Sequence, residues 1–127
     1  AYGGPCFPRD NIAFSRLAAI IGAKADLATA TDSINRHQKD RILAIIDHLE
    51  SQPKTIGILG LSYKPGTSVI EESQGIALAA ALKKKGFNVI VFDPMAMAPA
   101  QAVLGEHVTY ATSEDDCVKI CDALVIM

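Results

Sequence analysis

The first ten residues, Ala1-Tyr-Gly-Gly-Pro-Cys-Phe-Pro-Arg-Asp10, place one cysteine between a diglycine turn and the start of a helix. A thiol in that setting can act as a nucleophile. Pro8 suits the first helical position, where a missing N–H has no intrahelical partner to lose, and helical periodicity continues from Asp10 to Ile21. Cys6 therefore stands just ahead of a helix N-terminus. Unpaired backbone N–H groups, the positive end of the helix dipole and the adjacent Arg9 all favour an anion at that sulfur. Gly3 and Gly4 carry no side chains, so a substrate can come close to the backbone. By itself, a cysteine beside glycine and proline serves either as a structural thiol or as a nucleophile, and the local residues leave both open. Asp10, one turn along, either orients water and accepts a proton or complements the helix dipole as a first-turn acid.

A second candidate site is the turn Gly60-Leu-Ser-Tyr-Lys-Pro-Gly-Thr-Ser68, between an apolar run and a helix expected from about Glu71. Nucleotide phosphates often sit on such turns. Its glycines permit close backbone approach, Lys64 offers a charge, and Tyr63 offers a ring face or a hydroxyl. The turn lacks the Gly-x-x-x-x-Gly-Lys-Ser/Thr order, and Gly57 and Gly60 do not complete a Gly-x-Gly-x-x-Gly fingerprint, so a standard dinucleotide site is not supported. A plain strand-to-helix loop without a ligand stays open beside the binding reading.

The elements that must position these residues fall into two parts. Residues 1–52 read as helical: Asp10 to Ile21, then a long helix from Asp26 to Glu50 with Leu27, Ala30, Ile34, Ile42, Ile45, Ile46 and Leu49 at spacings of three and four, both of whose ends call for burial. Residues 53–127 alternate strand and helix, with strands at Ile56–Leu61, Asn88–Asp93, Val108–Ala111 and Ala123–Met127 and helices at Glu71–Lys85, Pro99–Leu104 and Ser113–Ile120. The expected fold is α/β: a helical segment with one long helix, then a Rossmann-like parallel sheet flanked by helices, with ligands at the carboxyl ends of the strands.

Taken together, the two motifs resemble the UDP-glucose/GDP-mannose dehydrogenase family. The family's Gly-Gly-Ser-Cys-Phe-Pro-Lys-Asp signature is matched with Pro5 for serine and Arg9 for lysine, a planar guanidinium in place of a compact ammonium. Its Gly-Leu-Ala/Ser-Phe-Lys-Pro-x-Thr-Asp-Asp-x-Arg-Glu-Ser motif is matched by Gly60 to Thr67, by Glu72-Ser73 and, further on, by Asp93-Pro94. The resemblance implies Cys6 and Asp10 as catalytic residues and Tyr2, Gly3, Tyr63 and Lys64 as nucleotide-sugar contacts. It also implies a homodimer paired through the helix from Asp26 to Glu50. The family's Asp-Asp-x-Arg is Ser68-Val69-Ile70-Glu71 here, so the arginine that meets the nicotinamide cofactor becomes an acid that repels a pyrophosphate. Glu71 is not assigned to the cofactor, and Arg9 is the candidate to support it.

Oxidising a primary alcohol to a carboxylate removes four electrons and so needs two NAD. In the chemistry that the resemblance implies, Cys6 attacks the intermediate aldehyde to give a thiohemiacetal, oxidation gives a thioester, and water releases the acid. UDP-glucose, converted to UDP-glucuronate, is the leading substrate, with GDP-mannose and UDP-N-acetylmannosamine as alternatives. The abrupt ends read as a piece of a larger protein. The family's NAD domain lies ahead of the cysteine motif, so this stretch is expected to bind a nucleotide sugar weakly and not oxidise it. A non-catalytic nucleotide-binding or dimerisation module, or another thiol enzyme such as an acyl transferase, are the rival readings.

Composition bounds these choices. At 127 residues, half of them apolar, the chain is long enough for a real core. A net charge of -2 gives no electrostatic reason to expect nucleic acid or an anionic membrane as partner. Lys83-Lys84-Lys85 closes a helix, where cations complement the dipole. No apolar stretch reaches the ~18 residues of a membrane span and no signal-peptide pattern opens the chain, so the expected compartment is the cytoplasm. Cys117 and Cys121 share a helix face without further ligands for zinc and read as buried reduced thiols.

Overall fold

The computed structural model describes residues 1–127. Two helices, α1 (Phe7–Ile20) and α2 (Asp26–Asp47), precede β1 (Thr55–Leu59), α3 (Gln74–Lys84), β2 (Asn88–Phe92), α4 (Met97–Leu104), a 3₁₀ turn (Gly105–His107), β3 (Thr109–Tyr110), α5 (Glu114–Ile120) and β4 (Ala123–Ile126). The α/β architecture is the expected one. All strand pairs are parallel, in the order β3-β2-β1-β4, with Ile56 opposite Val89 on one side and Ala123 on the other. Because β1 lies between β2 and β4, the connections leave its two sides in opposite directions, which makes the β1/β4 boundary the crevice where such sheets take ligands.

β1 and β2 are buried at their centres, as expected of strands covered on both faces. Ile56, Ile58, Leu61, Leu78, Leu82 and Val91 are completely buried and form the main core with Ile46 from α2. The second, smaller cluster holds Ile90, Ala111 and Cys117, with Cys121 packed against it. Asp122 ties the sheet's other end by accepting from the backbone N–H of Lys54 at 2.9 Å and of Thr55 at 2.8 Å.

Several boundaries differ from expectation for local reasons. α1 starts at Phe7, which makes Pro8 its second residue and Cys6 its N-cap. α3 starts at Gln74 rather than near Glu71, because the Ser73 hydroxyl accepts from the Ile76 N–H at 3.4 Å and caps the helix there. α2 ends at Asp47, three residues early. Within the chain α2 buries Ala28 near its start, and Ile42, Leu43 and Ile46 near its end meet the core, whereas Leu27 is 86% exposed and Ile34 also faces out. Lys85 is not simply solvated; it pairs with Asp47 and joins the ends of α3 and α2.

Candidate functional site

The turn after β1 is held by one buried carboxylate. Asp93, 3% exposed at the end of β2, accepts from the N–H of Leu61 (2.7 Å) and Ser62 (2.9 Å) and from the Ser62 hydroxyl (3.1 Å) through one oxygen. Its other oxygen accepts from the N–H of Met95 and Ala96, both at 2.8 Å. Burial works against the charge, but the four backbone donors outweigh it and hold the carboxyl below its usual range. Further out, the Tyr63 N–H donates to the Val69 carbonyl at 3.0 Å, and the Val69 N–H donates to the Thr67 hydroxyl at 3.2 Å.

This fixed turn forms one wall of a cleft of about 310 Å³ at the carboxyl ends of β1, β2 and β4, lined by Ser62, Tyr63, Lys64, Thr67, Asp93 and Met127 among others. Lys64 places its ammonium 5.4 Å from the centre of the Tyr63 ring, within cation–π range. The lining combines an amine, an aromatic ring and hydroxyls, a set suited to a phosphorylated sugar or base. A dinucleotide fits poorly. The Leu61 and Ser62 N–H groups that could face a pyrophosphate are already bound by Asp93, whose own oxygens are committed and not free for a ribose. The wider trough beyond the turn, about 800 Å³, is lined by Glu71 and Glu72 beside Ser73 and Gln74, a negative rim that disfavours phosphate. No group of three His, Cys, Asp or Glu side chains could hold a metal ion.

The cysteine-bearing turn sits against this loop. The Gly4 N–H donates to the Glu71 carbonyl at 2.8 Å. A Cβ on Gly3 would lie 2.2 Å from the Glu72 carbonyl oxygen, and one on Gly4, whose φ is +90°, would lie 2.7 Å from a Tyr63 ring carbon. The open faces of both glycines are thus filled by the chain's own second half. Cys6 is exposed and is not part of the cleft's lining.

Tyr2 is engaged internally. Its N–H donates to the Asn35 side-chain oxygen at 2.7 Å, its carbonyl accepts from the amides of Asn35 (2.9 Å) and Gln74 (3.2 Å), and its hydroxyl bonds Asp32. Burial and that bond to Asp32 push the phenol up to about 12, and the same bond lowers the Asp32 carboxyl. The ring meets Phe7 edge-on at 4.6 Å. Arg9 donates to Asp10 at 3.1 Å in an exposed pair at the start of α1. The fold therefore joins Gly3 and Gly4 to Tyr63, keeps Tyr63 and Lys64 together in the cleft, and points Tyr2 at α2. Asp93, Glu72, Gln74 and Asn35 have structural parts that motif reading did not assign. The cues in the sequence were the motif matches at Glu72-Ser73 and at Asp93-Pro94, the latter closing a strand across from the glycine turn.

Comparison with known proteins gives a consistent picture. A family model described as the UDP-glucose/GDP-mannose dehydrogenase family, UDP binding domain, matches residues 57–127, more than half of the chain. A UDP-glucose 6-dehydrogenase of Bacillus subtilis is 31% identical over 99% of this chain and 28% of its own length. One from Haloferax volcanii is 32% identical over 98% of this chain and 29% of its own length. The solved structure of a UDP-glucose dehydrogenase from Pyrobaculum islandicum superposes with a TM-score of 0.95 at 32% identity, over 99% of this chain and 30% of that one. A GDP-mannose dehydrogenase from Pseudomonas aeruginosa, solved as a ternary complex, gives 0.88 at 26% identity, over 99% of this chain and 31% of that one. The chain spans less than a third of the length of each of these relatives.

Proposed function

Given that this chain belongs to the UDP-glucose/GDP-mannose dehydrogenase family, we propose that it is the central and C-terminal part of an NAD-dependent nucleotide-sugar dehydrogenase. Residues 1–52 form a helical segment carrying the nucleophile, and residues 53–127 a Rossmann-like nucleotide-sugar-binding half. One observation supports this most directly: the Cys6 turn is seated on the Tyr63–Lys64 loop at the sheet's ligand-binding end. UDP-glucose is the proposed substrate, as in the names of the relatives from Bacillus subtilis, Haloferax volcanii and Pyrobaculum islandicum.

In this reading Tyr63 and Lys64 hold the diphosphate-sugar, and the Lys64 ammonium offsets phosphate charge. The Cys6 sulfur attacks the aldehyde carbon to give a thiohemiacetal. Asp10 positions the water that later releases the acid, its carboxylate steadied by Arg9. NAD supplies the oxidising equivalents. The residues of this chain make no pyrophosphate cradle for it, so its binding is assigned to polypeptide outside these 127 residues, with Arg9 the one candidate contact from this side.

Phe14, Leu17, Ile20, Leu27 and Ile34 lie exposed along α1 and α2, and this apolar surface supports pairing of two copies through the long helix. No helix is long and apolar enough to cross a membrane. Three unpaired cysteines fit a reducing compartment, and the cytoplasm is the proposed location.

The test is NAD reduction by the full-length protein with UDP-glucose, GDP-mannose and UDP-N-acetylmannosamine in parallel. Turnover with UDP-glucose that is lost in Cys6→Ala is expected. Full turnover in that variant, or none with any of the three sugars, would contradict the proposal.

A further inference from the structure

We propose that Tyr63 is a positioning residue for Cys6: the ring that lines the nucleotide-sugar cleft is also the surface on which the cysteine-bearing turn rests, so occupancy of the cleft sets where the sulfur stands. The inference rests on the functional reading above and adds to it a mechanical link between the two sites.

Two sets of contacts hold the turn. One comes from α2, where Asn35 grips both the N–H and the carbonyl of Tyr2 and Asp32 takes its hydroxyl. Those partners lie away from the cleft and have no reason to respond to a ligand. The other comes from the loop: the Glu71 carbonyl to the Gly4 N–H, the Gln74 amide to the Tyr2 carbonyl, and the Tyr63 ring over Gly4. Of these groups only Tyr63 also lines the cleft, beside Lys64. Cys6 follows Gly4 by two residues and is the N-cap of α1, so a shift at Gly4 is delivered to it through a single intervening residue, Pro5.

The packing at this junction is tight enough to transmit motion. A hypothetical Cβ on Gly4 falls 2.7 and 2.8 Å from two Tyr63 ring carbons, so there is no slack between ring and backbone. Glu72 adopts a φ of +51°, a left-handed conformation that a non-glycine residue holds only when its surroundings demand it. Its carbonyl is the atom pressed against Gly3. A left-handed residue and two glycine-only contacts thus lie together at the junction of the two halves, beside the Tyr63 ring. The contacting atoms are ring carbons, so the role belongs to the ring and not to the phenol hydroxyl.

The experiment follows the rate at which iodoacetamide alkylates Cys6 in the full-length protein, read by peptide mass spectrometry, with and without saturating UDP. The expected result is a UDP-dependent change in wild type that disappears in Tyr63→Ala even at a UDP concentration that calorimetry shows to saturate that variant, so that weaker binding alone cannot account for the loss. In the same variant kcat falls by about 10–100-fold, as expected for a nucleophile displaced by about an ångström, with a smaller change in KM. Tyr63→Phe, which restores the ring alone, restores the UDP response. A Cys6 rate that ignores UDP in wild type overturns the inference. So does a response that survives in Tyr63→Ala, or a loss confined to KM. Turnover that persists in Cys6→Ala, or no UDP binding by the wild type, defeats the functional reading instead, so the two failures are distinguishable.

Discussion

Replacing Asp93 by asparagine tests the bond network that shapes the cleft. The carboxylate accepts five hydrogen bonds, three on one oxygen and two on the other. Asparagine keeps one acceptor oxygen. Whichever way its amide turns, the NH₂ group faces at least two backbone N–H donors, so at least two charge-assisted bonds are lost and donors are left opposed. At about 1.5–3 kcal/mol for each bond to a charged group, the expected loss is about 4 kcal/mol, against a total of about 5–15 kcal/mol for a domain. Urea unfolding followed by circular dichroism measures it. The pH dependence gives a second check. The folded-state carboxyl is held below its ordinary value, so the unfolded chain binds the proton more readily. The contribution is fully present above about pH 4, the ordinary aspartate range, and is lost as pH falls through the depressed folded value. Wild type and Asp93→Asn should therefore differ most at neutral pH and converge in acid. A difference below about 1 kcal/mol at pH 7, or one that does not shrink on acidification, refutes the reasoning.

Other outcomes follow from the same geometry. Gly75→Ala would put a Cβ 2.2 Å from the Gly60 carbonyl oxygen; the first turn of α3 must then back away from the glycine turn, at about 3 kcal/mol and about 10 °C in melting temperature, measured by calorimetry. Tyr2→Phe removes the hydroxyl bond to Asp32, and a loss of about 1 kcal/mol is expected in urea unfolding at neutral pH. The Tyr2 phenol is raised to about 12, so its contribution is complete below about pH 10, the ordinary tyrosine value, and fades as pH rises through the folded value. The chain has three tyrosines and no tryptophan, and burial also pushes the Tyr110 phenol up, so in tyrosinate absorbance the Tyr2 contribution is the part of the late ionisation that Tyr2→Phe removes.

Much of this protein is written locally. The apolar runs at Ile56–Leu61 and Asn88–Phe92, alternating with helical periodicity, specify parallel strands and crossover helices because burial on both faces demands continuous apolar residues. Residue types single out the cysteine turn and the Gly60–Ser68 loop as candidates, since thiol, glycine, lysine and aromatic ring each bring their chemistry with them, but they leave a structural thiol and a plain loop equally open, and the roles come from the family resemblance. What only the tertiary structure decided is which of these groups meet. Tyr63 lies 59 residues beyond Gly4 in the chain, and no periodicity brings a ring onto a diglycine turn. Asp93 reads as a strand-ending acid until the β1–β2 register sets it beneath the Leu61 and Ser62 N–H groups. Tyr2 reads only as an aromatic ahead of a diglycine turn until α2 supplies Asp32 and Asn35 as partners for its hydroxyl and backbone. Local sequence encodes propensity and chemistry, but contacts between residues distant in the chain depend on how whole elements pack, and that packing places the sulfur-bearing turn against the wall of the cleft.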